Sequence, residues 1–203
     1  LKQTVDSHQI DCDWRNDGKY HCSVSADFDD ELDSYQQTLS TLGETYQLVE
    51  KQELSQRLGT DFYRRAVYTP NCILINPAAL VDGLAASLPA NVSLYAHSPA
   101  LEISTAGSIR AVTPHGEVRA SKLMLAINGA ARGLPLFKGS VFAMSTFATL
   151  TEPLTPAQRA RLGDIAPWGL TPVNALAGAT LRYTHDHRFL IREHVNFAPN
   201  LHT

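Results

Sequence analysis

Leu123-Met124-Leu125-Ala126-Ile127-Asn128-Gly129-Ala130 is the stretch on which the reading of this chain turns. Five apolar residues run without a polar break onto Asn-Gly. A strand buried on both faces reads as such a continuous run, and open α/β sheets present the carboxyl ends of their strands to ligands. The run therefore predicts a buried strand that delivers residues 128–130 to a ligand edge. Yet no Gly-x-Gly occurs in the 203 residues, so the glycine-rich turn that opens a dinucleotide-binding sheet is missing. The chain starts at Leu1 in polar sequence. It is expected to be an internal piece of a larger protein.

Working back from that run, Asn76-Pro77 starts a helix, because Asn caps and Pro at the first helical position gives up no needed hydrogen bond. Leu80, Val81, Leu84 and Leu88 supply its apolar stripe and Pro89 ends it. Strands are expected over residues 92–96, 100–105, 109–113 and 117–127, with Pro114-His115-Gly116 as a turn. Further back, residues 9–25 alternate around Asp17-Gly18 and read as a β-hairpin. A helix capped by Asp29 or Asp30 carries Leu32, Tyr35, Leu39 and Leu42 at helical spacing and stops at Gly43. A short strand over 46–49 leads into a helix over 51–58 closed by Gly59.

Forward of the run, a Thr-rich strand is expected over 140–150. A helix starts at Thr155-Pro156 and ends at Gly163, residues 167–178 read as a Pro- and Gly-rich loop, and a last hairpin turns around Asp186. Helices and strands mixed in this order give an α+β fold with a mixed or antiparallel sheet and flanking helices.

With 44% hydrophobic and 18% charged residues the chain can bury a core. A formal net charge of -3 with no block of like charge points to neither nucleic acid nor an anionic membrane as partner. No apolar run is long enough for a membrane span and no signal core opens the chain, so cytoplasm is the expected compartment. Cys12, Cys22 and Cys72 are an odd number without Cys-x-x-Cys. Cys12 and Cys22 can face each other across the expected hairpin, although reduced thiols are commoner in a cytosolic protein.

Two groups invite a functional reading. His185 and His187 share a face if they lie on a strand. Five residues separate His187 from Glu193, however, a spacing that misses the cupin metal pattern, and Asp186 suits a solvated turn; no metal is expected. Trp14, Trp168, Tyr20, Phe62 and Tyr68 can line a pocket or fill a core. Hydrolase signatures such as Gly-x-Ser-x-Gly and His-Glu-x-x-His are absent.

The order of several segments resembles the flavin-dependent oxidoreductases of the D-amino-acid oxidase and glycine oxidase superfamily. The segments are Asn76-Pro77-Ala78-Ala79-Leu80-Val81-Asp82-Gly83-Leu84, Ser98-Pro99-Ala100-Leu101-Glu102-Ile103, Gly116-Glu117-Val118 leading to Leu125-Ala126-Ile127-Asn128-Gly129-Ala130, Ser145 to Leu154 with its Thr151-Glu152-Pro153-Leu154, and Arg188-Phe189-Leu190-Ile191. The resemblance implies that residues 1–68 and 133–203 form a substrate-binding domain and residues 69–132 a partial FAD-domain insert. It implies that Ala100, Asn128, Gly129 and Ala130 approach the flavin nucleotide, and that Arg182, with Tyr183, meets the substrate. Gly129 lacks the Cβ that would hold a ligand off.

Tyr183 replaces the family's Pro or similar residue, and Arg192 stands where many members have Gly. What the resemblance implies for the parent protein is FAD-dependent oxidation of an amine or amino acid, by hydride transfer to the cofactor without a named base, with oxygen or an electron carrier as acceptor. The 203 residues by themselves are expected to hold FAD weakly or not at all and to be inactive. A non-catalytic β-rich binding module and a cupin-like metal enzyme using His185 and His187 are the rival readings.

Overall fold

The computed structural model describes residues 1–137, 139–141, 144–173 and 178–197. Parts of the expected strand over 140–150 and of the expected loop over 167–178 lie outside them. In chain order the elements are α1 (Lys2–Ser7), β1 (Lys19–Ser23), α2 (Asp29–Leu42), β2 (Gln47–Glu50), α3 (Lys51–Leu58), β3 (Arg65–Thr69), α4 (Pro77–Ala86), β4 (Glu102–Ser104), β5 (Ile109–Thr113), β6 (Gly116–Ala120), β7 (Met144–Leu150), α5 (Pro156–Leu162), β8 (Trp168–Pro172), β9 (Thr180–Tyr183) and β10 (Phe189–Phe197).

Seven strands form one mixed sheet in the order β2-β3-β1-β8-β9-β10-β7, and β4-β5-β6 form a separate meander. Within the large sheet β1 and β8 run parallel and the other pairs antiparallel. The α+β class expected from the sequence holds.

The helix punctuation follows from local chemistry. Asn76 Oδ1 accepts from the Ala78 and Ala79 amides at 3.1 and 3.2 Å. Thr155 and Gln158 form a reciprocal capping box at the start of α5. Gly43 and Gly59 end α2 and α3 in the left-handed conformation, with φ of 71° and 73°. Asp29 and Asp30 fall inside α2 rather than capping it. Ser25 caps the 3-10 turn that precedes it, and Asp29 pairs with Arg64.

Side chains alternate across the sheet. On one face Tyr20, Cys22, Val49, Ala66, Leu170 and Tyr183 pack with Leu54 and Leu58 of α3 in the main core. On the other face Val67 packs with Leu32 and Leu39 of α2. A third cluster joins Val5 and Cys12 to Leu80 of α4. Among the described residues no helix is long and apolar enough to cross a membrane.

The hairpin expected over residues 9–25 does not form. Ile10, Cys12 and Trp14 find apolar partners on α1 and α4, Arg15 exchanges two 2.9 Å backbone hydrogen bonds with Leu74, and β1 pairs with β3 and β8 instead. Cys12 and Cys22 thus lie in separate clusters, and all three thiols are free.

Residues 92–96 form no strand, and neither do residues 121–127. Met124 is 89% exposed, and Leu123 and Ile127 are exposed as well. A strand needs a neighbouring backbone to satisfy its N–H and C=O groups, and no described strand of this chain pairs with the run. Of the stripe expected on α4, Leu80 is buried while Val81 and Leu88 are exposed. Conversely, residues 168–172 are a buried central strand rather than loop.

Candidate functional site

β9 and β10 pair in a register that sets Arg182 against Leu190 and Thr180 against Arg192. Alternation therefore puts Arg182, Thr180, Leu190 and Arg192 on one face of the sheet, the face that carries α2 at its other end. On the opposite flank Arg182 lies against Gly169 of β8. A Cβ at Gly169 would stand 3.2 Å from Arg182 Cδ and 3.3 Å from Nε, so the glycine makes room for the guanidinium to lie across the sheet.

Arg182 Nη1 donates to the carbonyls of Leu170 at 2.9 Å and Leu181 at 2.7 Å. The residue borders a cavity of about 250 Å³ with Leu74, Ile75 and Leu190 as apolar wall and Asp13, Arg15, Asp17 and His185 on the charged side. Asp13, held at a left-handed φ of 53°, accepts from Arg15 Nε at 2.7 Å and lies 2.9 Å from His185 Nδ1. The positive charge of Arg15 is thereby met. That of Arg182 is not, because no carboxylate among the described residues pairs with it.

Burial, and then the nearby charge of Arg192, push the Arg182 guanidinium below its usual pKa. A buried cation in that state gains most from an anion that supplies charge and acceptor oxygens together. The arrangement suits the binding of a small carboxylate against an apolar wall.

Tyr183 faces the other way. It is 3% exposed, packs against Phe189 with ring centroids 5.1 Å apart, and its hydroxyl lies 2.9 Å from His187 Nδ1. The structure therefore separates the two residues that the family resemblance assigns to the substrate. His185 and His187 do not converge either. His187 sits in the hairpin turn at a φ of 62° and bonds Tyr183, while His185 meets Asp13. Among the described residues no group of three His, Cys, Asp or Glu is placed to hold a metal ion.

Ala100 lies exposed just before β4, where the Leu101 amide donates to Val112 O at 2.8 Å. Asn128, at a φ of 45°, opens the 3-10 helix Asn128–Gly133, and the Ala130 amide donates to Ile127 O at 3.1 Å. Open space surrounds the position a Cβ would take at Gly129. Nothing in the described chain crowds that glycine, and residues 128–130 form an open edge rather than an enclosure. A dinucleotide needs its diphosphate held by successive backbone N–H groups. This sequence has no such turn.

Leu74, Ile75 and Asp13 come from segments without periodicity, and Gly169 was hidden in a Pro- and Gly-rich stretch. The period-two alternation of residues 180, 182, 190 and 192 was the one available signal.

Solved structures with this fold include the glycine oxidase of Geobacillus kaustophilus, with a TM-score of 0.71 and 18% identity over 97% of this chain and 52% of that one. The L-proline dehydrogenase of P. horikoshii superposes with a TM-score of 0.76 and 12% identity over 99% of this chain and 54% of that one. The fold is thus one that these two proteins share. The family described as DAO, FAD dependent oxidoreductase, matches residues 1–202, and the chain belongs to it. FAD is the cofactor of that family. Among curated proteins, the probable oxidoreductase OrdL of Haemophilus influenzae is 24% identical over 165 residues, 77% of this chain and 38% of its own length. The chain spans about half the length of the solved relatives, and less of OrdL.

Proposed function

We propose that this chain is the substrate-binding part of an FAD-dependent enzyme that oxidises an amine or amino acid, and that Arg182 anchors the substrate carboxylate. One observation carries the reading: a half-buried guanidinium without a carboxylate partner among the described residues borders an apolar-walled cavity of about 250 Å³. Family membership supplies the redox class. The oxidation belongs to the cofactor, and the residues of this chain bind and orient.

Residues 1–68 and 133–203 act in this proposal as two parts of a substrate domain, and residues 69–132 as an insert that supplies one side of the flavin site through Ala100 and residues 128–130. The large sheet drawn from residues 19–69 and 144–197 supports that division. The packing of Val5 and Cys12 on Leu80 draws the first residues toward the insert.

The test is steady-state kinetics and flavin content of the full-length gene product. Arg182→Lys keeps the charge and loses the fork. Losing a buried charge-assisted pair costs about 2–5 kcal/mol, so the KM for a carboxylated substrate should rise steeply while bound flavin stays constant. Parental kinetics in both Arg182→Lys and Arg182→Ala would overturn the assignment. A full-length product without flavin absorbance would overturn the redox reading.

A further inference from the structure

A second cavity, of about 370 Å³, lies on the face of the sheet that carries α3. Tyr20 of β1, Tyr68 of β3, Arg57 of α3, Trp168 of β8, Asp17 and Asp164 border it. The Tyr20 and Tyr68 rings lie 4.7 Å apart, and the Arg57 guanidinium stands 5.5 Å over the Tyr68 ring. Two residues of this wall hold unmet hydrogen-bonding groups. Trp168 is 4% exposed and its Nε1–H has no partner, and Asp17 Oδ2, shielded from solvent, has none either among the described residues.

Buried polar groups in native proteins are nearly always paired. A lone donor and a lone acceptor carried by two residues of one cavity wall are complementary to a ligand that brings the opposite of each. The charges say more. Asp17 and Asp164 are acidic, whereas Arg57 is already met by Glu53 at 2.6 Å. An acidic cavity with tyrosine and tryptophan walls suits an ammonium group, which gains from carboxylate and ring faces together. The indole N–H suits a carboxylate oxygen.

We infer that this cavity is a second small-molecule site that takes a free amino acid as its zwitterion, the ammonium directed to Asp17 and the carboxylate to the Trp168 indole N–H. It shares Asp17 with the Arg182 cavity, lies on the α3 face of the sheet, and does not rest on the oxidation reading. No bond is made or broken there.

The test follows the indole N–H resonances of the ¹⁵N-labelled protein, with Trp14→Phe assigning the Trp168 signal, during titration with glycine. The Trp168 signal should shift saturably at millimolar glycine while that of Trp14 stays. Methylamine, which lacks the carboxylate, should bind about tenfold more weakly. Ala166→Leu, which fills the cavity from the loop beside Trp168, and Asp17→Asn should each abolish the shift, and Arg182→Lys should retain it. No saturable shift in the parent would mean that the unmet groups hold only water, and the site would be refuted. A shift that survives Ala166→Leu, equal binding of methylamine, or a shift lost in Arg182→Lys would refute it as well.

Discussion

Arg182 and Tyr183 are neighbours on β9 that face opposite sides of the sheet, the guanidinium beside the cavity walled by Leu74 and Leu190 and the phenol bonded to His187 at 2.9 Å. Their substitutions should therefore separate cleanly. Tyr183→Phe loses one hydrogen bond in the core, worth about 1 kcal/mol, and should lower the denaturation midpoint while leaving substrate KM at the parental value. Arg182→Lys should do the reverse. A raised KM in Tyr183→Phe at unchanged stability would place the phenol in the site after all.

Gly18 holds a φ of 73°, and a Cβ there would lie 2.3 Å from Tyr68 Oη. That hydroxyl also donates to Asp17 O at 3.2 Å. Strain and overlap act together at this position, so Gly18→Ala should destabilise the protein by about 2–4 kcal/mol in urea unfolding. Tyr68→Phe removes the hydroxyl and relieves part of the overlap. The double variant should lose less than the sum of the two single ones, and strict additivity would argue against the contact.

His21 stacks on Tyr35 with ring centroids 4.2 Å apart. Burial, and then the charge of Lys19, push its pKa down to about 4. An unfolded histidine titrates near 6.5. Because the folded state resists the proton, the contribution of His21 is complete above about pH 6.5 and is lost as the pH falls toward 4, by at most about 3 kcal/mol. Urea midpoints measured across that window should fall more steeply for the parent than for His21→Phe, which keeps a ring against Tyr35 and cannot bind a proton. Equal slopes would show that His21 is not held neutral.

Residues 121–127 expose apolar side chains without strand pairing, whereas β1, β3 and β8 form the middle of the large sheet. Hydrogen exchange on the 203-residue chain should find residues 121–127 among the fastest and the central strands the slowest. Strong protection of residues 121–127 in a monomer would mean that the run pairs within this chain.

Elements whose signals are local were readable from sequence. α3 occupies residues 51–58 as expected, because Gly59 and the leucine spacing act within a few residues, and Asn76-Pro77 marks the start of α4 for the same reason. Pairing that spans the chain was not readable. Lys19 to Cys22 alternate as well for a hairpin as for the β3 and β8 partners they take. Gly169 and Pro172 disguised a central strand, since glycine serves there to admit Arg182 and proline stands at the strand end. The apolar run at Leu123 carries the composition of a buried strand but lacks a described partner, and composition does not report partners. Of the candidate site, Arg182 came from family resemblance, while Asp13 and Leu74 reach it only through the tertiary fold.

The parallel join of β1 to β8 has a consequence for how the molecule assembles. All of β2 to β7 lies between the two strands, so the centre of the sheet is also its longest-range contact. Loop closure over such a span adds little to the equilibrium cost, since that term grows only with the logarithm of length, but it slows the search. On the ribosome β1, β2 and β3 are complete long before β8 emerges, and until then β1 keeps one edge open beside the apolar Tyr20 and Cys22. That edge can template pairing between nascent chains. Translation speed between residues 69 and 168 therefore bears on the yield of folded protein.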